Sequence, residues 1–582
     1  MTLAEDLKKI IKGGVASDEK ILESYSRDAS LFVVRPEVVV APSDTADICA
    51  VVKYVSAKAA DIQGDALTAG SPRRRLPSIT ARAAGTDMGG GPLGNSIVLD
   101  MMHLNKLVAL HCDDPAPTAQ CSAVVEPGMY FRDFDRETKK LGLELPSYTA
   151  SREINTVGGM VANDSGGEKN LKYGKTARYV EELEVVLSDG KAHTLKDQQG
   201  ESLLEKLQEP GFEGDIYRKV SQLLRGHQRL IEEHKPKVEK NSSGYALWDI
   251  GDPGASLSAG GPSLNLARLM VGSQGTLGII TKIRFALVRP KPFASMTVIF
   301  LKSFSDLGSV VPEVLKFNPD SFESYDDNTF HLAVKYFPEF ATQMKAGLIK
   351  LGIEFLPELW MLATGGVPKL VLLVEFRADI QAEALRQAKK LQEFLHAHHA
   401  HMKASVMKNE EEARKYWVVR RESFNLLRKK VRGLRTAPFI DDFVVPPASL
   451  PEFLPKLEAI LSRYDLTYTV AGHVGDGNFH IIPLVDPARA DTGKIIDELS
   501  HKVYDLVLQY HGSITGEHND GLIRTPYVEK MFGPEMVGLF HEIKNIFDPL
   551  NIFNPGKKVG TTFSDAFAKL DLPKVPAGVV TR

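Results

Sequence analysis

Between Thr467 and Ile482 the chain reads Thr-Tyr-Thr-Val-Ala-Gly-His-Val-Gly-Asp-Gly-Asn-Phe-His-Ile-Ile. Apolar and β-branched residues flank Asp476-Gly477 and predict two short strands joined by a hairpin. Asp-Gly is a strong two-residue turn signal, because a type I′ turn needs positive φ at both central positions. Such a turn sets Gly475 opposite Asn478 and, further out, His473 opposite His480. Directly opposed side chains share a face, with Cβ atoms about 4.5–5.5 Å apart. Asn478, two residues from His480, points to the same side. Two imidazoles on one face are either a hydrogen-bonded pair in a sheet or half of a metal site.

A second stretch, Gly516-Glu517-His518-Asn519-Asp520-Gly521, follows a helix predicted over about 488–510. It can bring a carboxylate and a third imidazole to the same place. With His473, His480 and Glu517 as ligands, positions stay open for substrate and His518 is free as a base.

The motifs G-H-x-G-D-G-N-x-H and G-E-H-x-D-G together closely resemble the C-terminal signatures of FAD-linked D-2-hydroxy-acid dehydrogenases. These are the D-lactate, glycolate and D-2-hydroxyglutarate dehydrogenases of the vanillyl-alcohol oxidase / p-cresol methylhydroxylase (PCMH) flavoprotein superfamily. The resemblance implies an α+β chain. A PCMH-type FAD-binding domain of two subdomains spans residues 1–288, and an antiparallel-sheet substrate cap covered by helices, holding the metal site, spans 289–525. Residues 526–560 return to the FAD domain and 561–582 form a tail.

The composition agrees with a soluble protein of more than one domain. The chain has 582 residues, 43% apolar and 25% charged, with a net charge of −3. That balance suggests neither nucleic-acid binding nor general attraction to an anionic membrane. Cys49, Cys112 and Cys121 are too few for a disulfide framework or an iron–sulfur cluster, which suggests a reducing compartment. The N-terminus has no apolar signal-like run, and no apolar run reaches the ~20 residues of a spanning helix.

Ile79–Gly91 is a glycine-rich segment between two strands. Gly89, Gly91 and Gly94 formally satisfy G-x-G-x-x-G, but Pro92 interrupts it and a strand follows where a Rossmann helix would start. The segment resembles the family's pyrophosphate-binding loop, which assigns Arg82, Gly85, Thr86, Asp87, Gly89 and Gly90 to the cofactor. Ala83 stands where the family usually has glycine, and Asp87 is unusual beside a diphosphate. The loop has no histidine for covalent flavin attachment, so FAD is expected to be non-covalent. The longest likeness, over 121–190, carries the isoalloxazine and ribityl roles onto Ser151, Thr156, Gly158, Gly159, Asn163, Gly166 and Gly167. Ile279 ends a further family-like segment beside the adenine or flavin. Arg73-Arg74-Arg75 read as a solvated loop, with a phosphate or partner contact as the alternative.

In the cap, Trp417-Val418-Val419-Arg420 matches the family's W-x-x-R on a helix over about 410–431. Neighbouring helical residues point about 100° apart, so one of Arg420 and Arg421 can face the site. Arg420 is the carboxylate partner expected from the resemblance, and Arg524 offers a further cation. A lysine that some 2-hydroxyglutarate-type relatives carry near Ile440 is absent, which weakens a dicarboxylate assignment. Residues 339–363 read as buried cap, with a peripheral membrane or partner contact as the alternative. Asn519 stands where relatives commonly have glycine and is expected to alter the pocket.

The implied activity is FAD-dependent oxidation of a D-2-hydroxy acid, D-lactate favoured, assisted by a divalent metal (zinc, manganese or iron). Electrons pass to a quinone, a cytochrome or an electron-transfer protein. The location expected is cytoplasmic, with a peripheral contact on the inner membrane and a homodimer left open. The rivals are a non-redox ether-lipid (alkylglycerone-phosphate) synthase of the same fold, a metal-dependent hydrolase, and a flavin-binding subunit without activity.

Overall fold

The computed structural model describes residues 2–66, 76–112, 120–255, 261–327, 329, 367–430 and 433–572, the side chains of 64–66 and 422–430 excepted. Arg73–Arg75 and 339–363 fall outside the described residues.

Three sheets organise the chain. The first is built on the apolar strands Val38–Ala41, Ile97–Asp100 and Ile79–Arg82, which run parallel, with Gly14–Ala16 antiparallel on the edge. The helix Thr45–Ala66 covers it, and the Asp44 carboxylate caps that helix by accepting from Asp47 N at 3.0 Å. The second sheet is antiparallel and six-stranded. Its strand Ile279–Leu287 alternates strictly between buried and half-buried positions, as one face packs on the core. Cys112 and Cys121 face each other on two of its strands and are joined by a disulfide, the one pairing that the cysteine count did not suggest.

The third sheet is the cap, antiparallel throughout and eight-stranded. Its strand Leu370–Ala378 is almost continuously apolar and buried on both faces. One face packs helices Ser305–Leu315, Gln381–His398, Leu450–Leu461 and Thr492–Gln509. The other face packs Tyr416 and Trp417 of helix Glu410–Lys430 against Met296, Val298 and Tyr325.

The chain then returns to the first domain. Helix Val528–Phe547 buries Phe532, Phe540 and Phe547 in the core of the second sheet, and Phe553 pairs in parallel with Ile79. Residues 561–572 are packed rather than a free tail. Helix Phe563–Phe567 has a capping box at Thr562 and Asp565, Leu570 bridges to Phe32, and Asp571 pairs with both Arg27 and Arg435. Hydrophobic contacts and this double ion pair hold the segment.

Where the FAD domain meets the cap, Arg421 grips Glu168, its Nε donating at 2.9 Å to one carboxylate oxygen and its Nη2 to the other. Burial alone would raise Glu168, but Arg421 and Arg152 bring its pKa down to about 2. The unfolded value is near 4.3, so this stabilisation is complete above that pH and is lost as pH falls through 2. Glu168→Gln is expected to cost roughly 3–5 kcal/mol. Chemical denaturation will show this as a lower midpoint, with the variant losing less stability than wild type between pH 5 and 2.

Candidate active site

The hairpin turns differently from the sequence expectation. Val474–Asp476 forms a short 3₁₀ turn, and only Gly477, at φ 69°, is left-handed. His473 therefore pairs with Asn478, and His480 pairs with Ala471. At the turn the Asp476 carboxylate accepts from Asn170 Nδ2 at 3.0 Å, and a Cβ on Gly475 would press on Leu171 and Phe322. The shift keeps both histidines on one face, as diagonal neighbours with ring centroids 5.3 Å apart.

Their Nε2 atoms converge on one oxygen, 3.4 Å (His473) and 3.2 Å (His480) from Glu517 Oε1. His518 Nε2 lies 3.8 Å from the same oxygen. Behind each strand histidine stands a carboxylate: Glu323 at 2.6 Å from His473 Nδ1, and Asp441 at 3.1 Å from His480 Nδ1. That arrangement fixes the tautomer and leaves Nε2 facing inward, as in carboxylate–histidine–metal sites. Burial alone would lower both histidines, but Asp441 and Glu517 push His480 up to about 10, and Glu323 raises His473. Burial would raise Glu517, but Lys240 and His473 hold it well below the usual carboxylate range. Lys240 Nζ lies 2.9 Å from Glu517 Oε2 and donates to Asn478 Oδ1 at 2.7 Å.

Among the described residues, the four whose ligand atoms lie within 4.8 Å of one another are Asp442, His480, Glu517 and His518. Chemistry favours His473 over Asp442. The Asp442 Oδ2 atom already accepts from Thr515 Oγ1 (2.6 Å) and from the backbone N–H groups of Gly516 (2.9 Å), Glu517 (2.9 Å) and His518 (2.8 Å). It is the anion in a backbone nest, held in a left-handed conformation at φ 69°. Asp441 Oδ2, by contrast, is buried with no hydrogen-bond partner and lies 3.7 Å from His518 Nε2. Two imidazoles, one carboxylate and an unsatisfied carboxylate oxygen make a donor set that suits a divalent cation.

The site opens on a cavity of about 630 Å³ lined by Arg82, Gly85, Thr86, Asp87, Ser151, Thr156, Gly158, Gly159, Asn163, Arg420, Arg421, His473, His480, Glu517 and His518. The other assigned residues lie outside it. Ile279 is fully buried in the sheet, and its neighbour Ile280 lines the cavity instead, as strand alternation requires. Gly166 and Gly167 are set by packing: a Cβ on Gly167 would meet Tyr148 O at 2.1 Å. Gly89 and Gly90 pack on the His518 loop, with Leu522 N donating to Gly89 O at 2.7 Å. The N–H of Gly89, a residue assigned to the cofactor, and that of Gly91 donate to Asp87 Oδ2 at 3.0 and 2.7 Å.

Arg420 and Arg421 both border the cavity. Arg421 is committed to Glu168, whereas Arg420 reaches Glu323 at 3.2 Å and keeps a buried Nε without a partner. Arg524 is fully buried away from the cavity and donates to the carbonyls of Asn519 and Asp441. Asn519 does not shape the pocket either. It sits at φ 65°, which asparagine tolerates, and its Nδ2 donates to Gly272 O (2.8 Å) and Asn163 O (3.2 Å).

Two family models match the chain: "FAD binding domain" over residues 36–196 and "FAD linked oxidases, C-terminal domain" over 291–558. Both an FAD-binding domain and the C-terminal domain of FAD-linked oxidases are thus matched in this chain. A D-2-hydroxyglutarate dehydrogenase of Pseudomonas putida is 26% identical over 94% of this chain, and the chain spans about half the length of that relative (50%). A D-lactate dehydrogenase of Archaeoglobus fulgidus is 27% identical over 96% of this chain and 99% of its own. The glycolate oxidase subunit GlcD of Bacillus subtilis is 27% identical over 92% and 91%. The fold matches p-cresol methylhydroxylase with substrate bound, at a TM-score of 0.62, 18% identity and coverage of 95% and 96%. The FAD-binding and cap domains therefore have the architecture of the PCMH flavoproteins.

Glu323, Asp441, Asp442 and Lys240 were not singled out from the sequence. Their signals were an acid inside an apolar strand, two acids before a strand, and a lysine beside Asn-Ser-Ser-Gly. Asp442→Ala removes the acceptor of three backbone N–H groups and should cost roughly 3–5 kcal/mol, read as a lower urea midpoint. Asp442→Asn, which keeps an acceptor oxygen, should cost less.

Proposed function

We propose that the chain oxidises a D-2-hydroxy acid to the 2-oxo acid, using FAD and a divalent metal. The observation that carries this is the convergence of three imidazole Nε2 atoms within 3.2–3.8 Å of Glu517 Oε1, at the wall of the cavity that also meets the flavin-domain loops. The names of the relatives support it, since D-2-hydroxyglutarate, D-lactate and glycolate are all 2-hydroxy acids. D-Lactate is the first substrate to try.

When bound, FAD supplies the hydride acceptor and a cation on His473, His480 and Glu517 supplies the Lewis acidity that lowers the hydroxyl pKa. His518, on a half-exposed loop position in the cavity, takes the hydroxyl proton at Nε2. Arg420, whose buried Nε has no partner, holds the carboxylate. Glu323 and Asp441 orient the two strand histidines, Lys240 fixes the far oxygen of Glu517, and Arg524 supports Asp441 and Asn519 from behind. Electrons then pass to a quinone, a cytochrome or a partner protein. No described helix is long and apolar enough to cross a membrane.

The test is an anaerobic absorption spectrum of FAD-loaded protein before and after D-lactate, with and without prior chelation. Bleaching that needs metal supports the reading, and a protein that takes up no FAD sinks it. His518→Ala should keep its flavin and lose roughly 10²–10⁴-fold in kcat; turnover near wild type would remove His518 as the base.

A further inference from the structure

The hairpin register lays three pairs on the sheet face that carries the histidines. His473 pairs with Asn478, Ala471 with His480, and Thr469 with Ile482. Ala471, Thr469 and Ile482 border the same cavity as the imidazoles. The wall therefore continues beyond His480, for about 7 Å of antiparallel strand, as a methyl, a threonine and a branched alkyl group.

No side chain along this lane is charged. Four arginines border the cavity among the described residues, and three are committed elsewhere. Arg27 pairs with Asp571, Arg82 donates to the carbonyls of Tyr25 and Arg27, and Arg421 grips Glu168. Arg420 keeps a buried Nε without a partner. It reaches Glu323, which holds His473, so it stands at the opposite end of the hairpin face from Thr469 and Ile482. Lys369 is paired with Asp327 at 2.7 Å and does not border the cavity.

We propose that this lane receives the substrate's carbon chain. It favours 2-hydroxy monocarboxylic acids whose apolar tail extends beyond one methyl, over glycolate, D-lactate and the dicarboxylate D-2-hydroxyglutarate. Thr469 and Ile482 set the length accepted. The inference rests on the reading that the C2 chemistry occurs beside His518. With the carboxylate at Arg420 and the hydroxyl at the histidines, the remaining substituent of C2 has the Ala471–Thr469–Ile482 wall to lie on. A tail buried there gains about fourfold in binding per methylene. A second carboxylate would lose its hydration beside neutral side chains, with no free cation beside them among the described residues.

The test uses metal-replete, FAD-loaded protein and anaerobic flavin reduction by glycolate, D-lactate, D-2-hydroxybutyrate, D-2-hydroxyvalerate and D-2-hydroxyglutarate. The expected result is a rise in kcat/KM of about fourfold per added methylene. D-2-Hydroxyglutarate should fall more than about tenfold below D-2-hydroxyvalerate, which has the same number of carbons. Thr469→Arg should reverse that last order, and Ile482→Ala should move the optimum to longer tails. If glycolate, D-lactate or D-2-hydroxyglutarate is the best substrate of the wild type, the lane is overturned while the hydroxy-acid reading stands. If no acid in the series reduces the flavin, the hydroxy-acid reading itself falls.

Discussion

One buried anion sets the geometry of this molecule. The Asp442 carboxylate draws the Thr515 hydroxyl and three successive N–H groups onto one oxygen, while its other oxygen accepts from Asn478 Nδ2 at 3.1 Å. That single group fixes the loop carrying Glu517 and His518 against the strand carrying His480. Burial would raise its pKa, but His518 and His480, with Arg524 beyond them, hold it far below the ordinary range. The loop is also held from the flavin side, where Lys558 and Asn519 tie it to Ser242, Asn163 and Gly272. The imidazoles owe their convergence to contacts from both domains.

Much of this was legible in the residue pattern, because periodicity and turn chemistry are local. The helices expected over about 410–431 and 488–510 are found at Glu410–Lys430 and Thr492–Gln509. The convergence of His473, His480, Glu517 and His518 survived an error in register. Shifting the turn moved His480 from opposite His473 to opposite Ala471, but the separation along the two strands keeps both on one face. Side-chain parity, not the turn type, carried the prediction.

The misses share a physical cause: they depend on which neighbour reaches a residue in space. Gly166 and Gly167 are small because Asn170, Lys240 and Tyr148 press on them, a contact that no spacing reveals. Arg524 resembles a substrate cation in sequence but is fully enclosed by carbonyls that need a donor. Asn519 and Asp87 are departures from the family that serve the chain itself, one clasping two flavin-domain carbonyls and the other filling the glycine loop's amides. Glu323 acts from a strand 150 residues before the histidine it orients.

The return of the C-terminal segment to the first sheet orders events during synthesis. Ile79 N donates to Ile552 O, and Asn554 Nδ2 donates to the carbonyls of Gly91 and Gln274 beside the glycine-rich loop. Residues near position 80 thus wait for partners more than 470 positions later. The nascent N-terminal half cannot complete its own cofactor loop while the ribosome is still making the cap. Contacts of such high sequence separation make folding slow, so the glycine-rich loop settles only once residues 552–554 have been made.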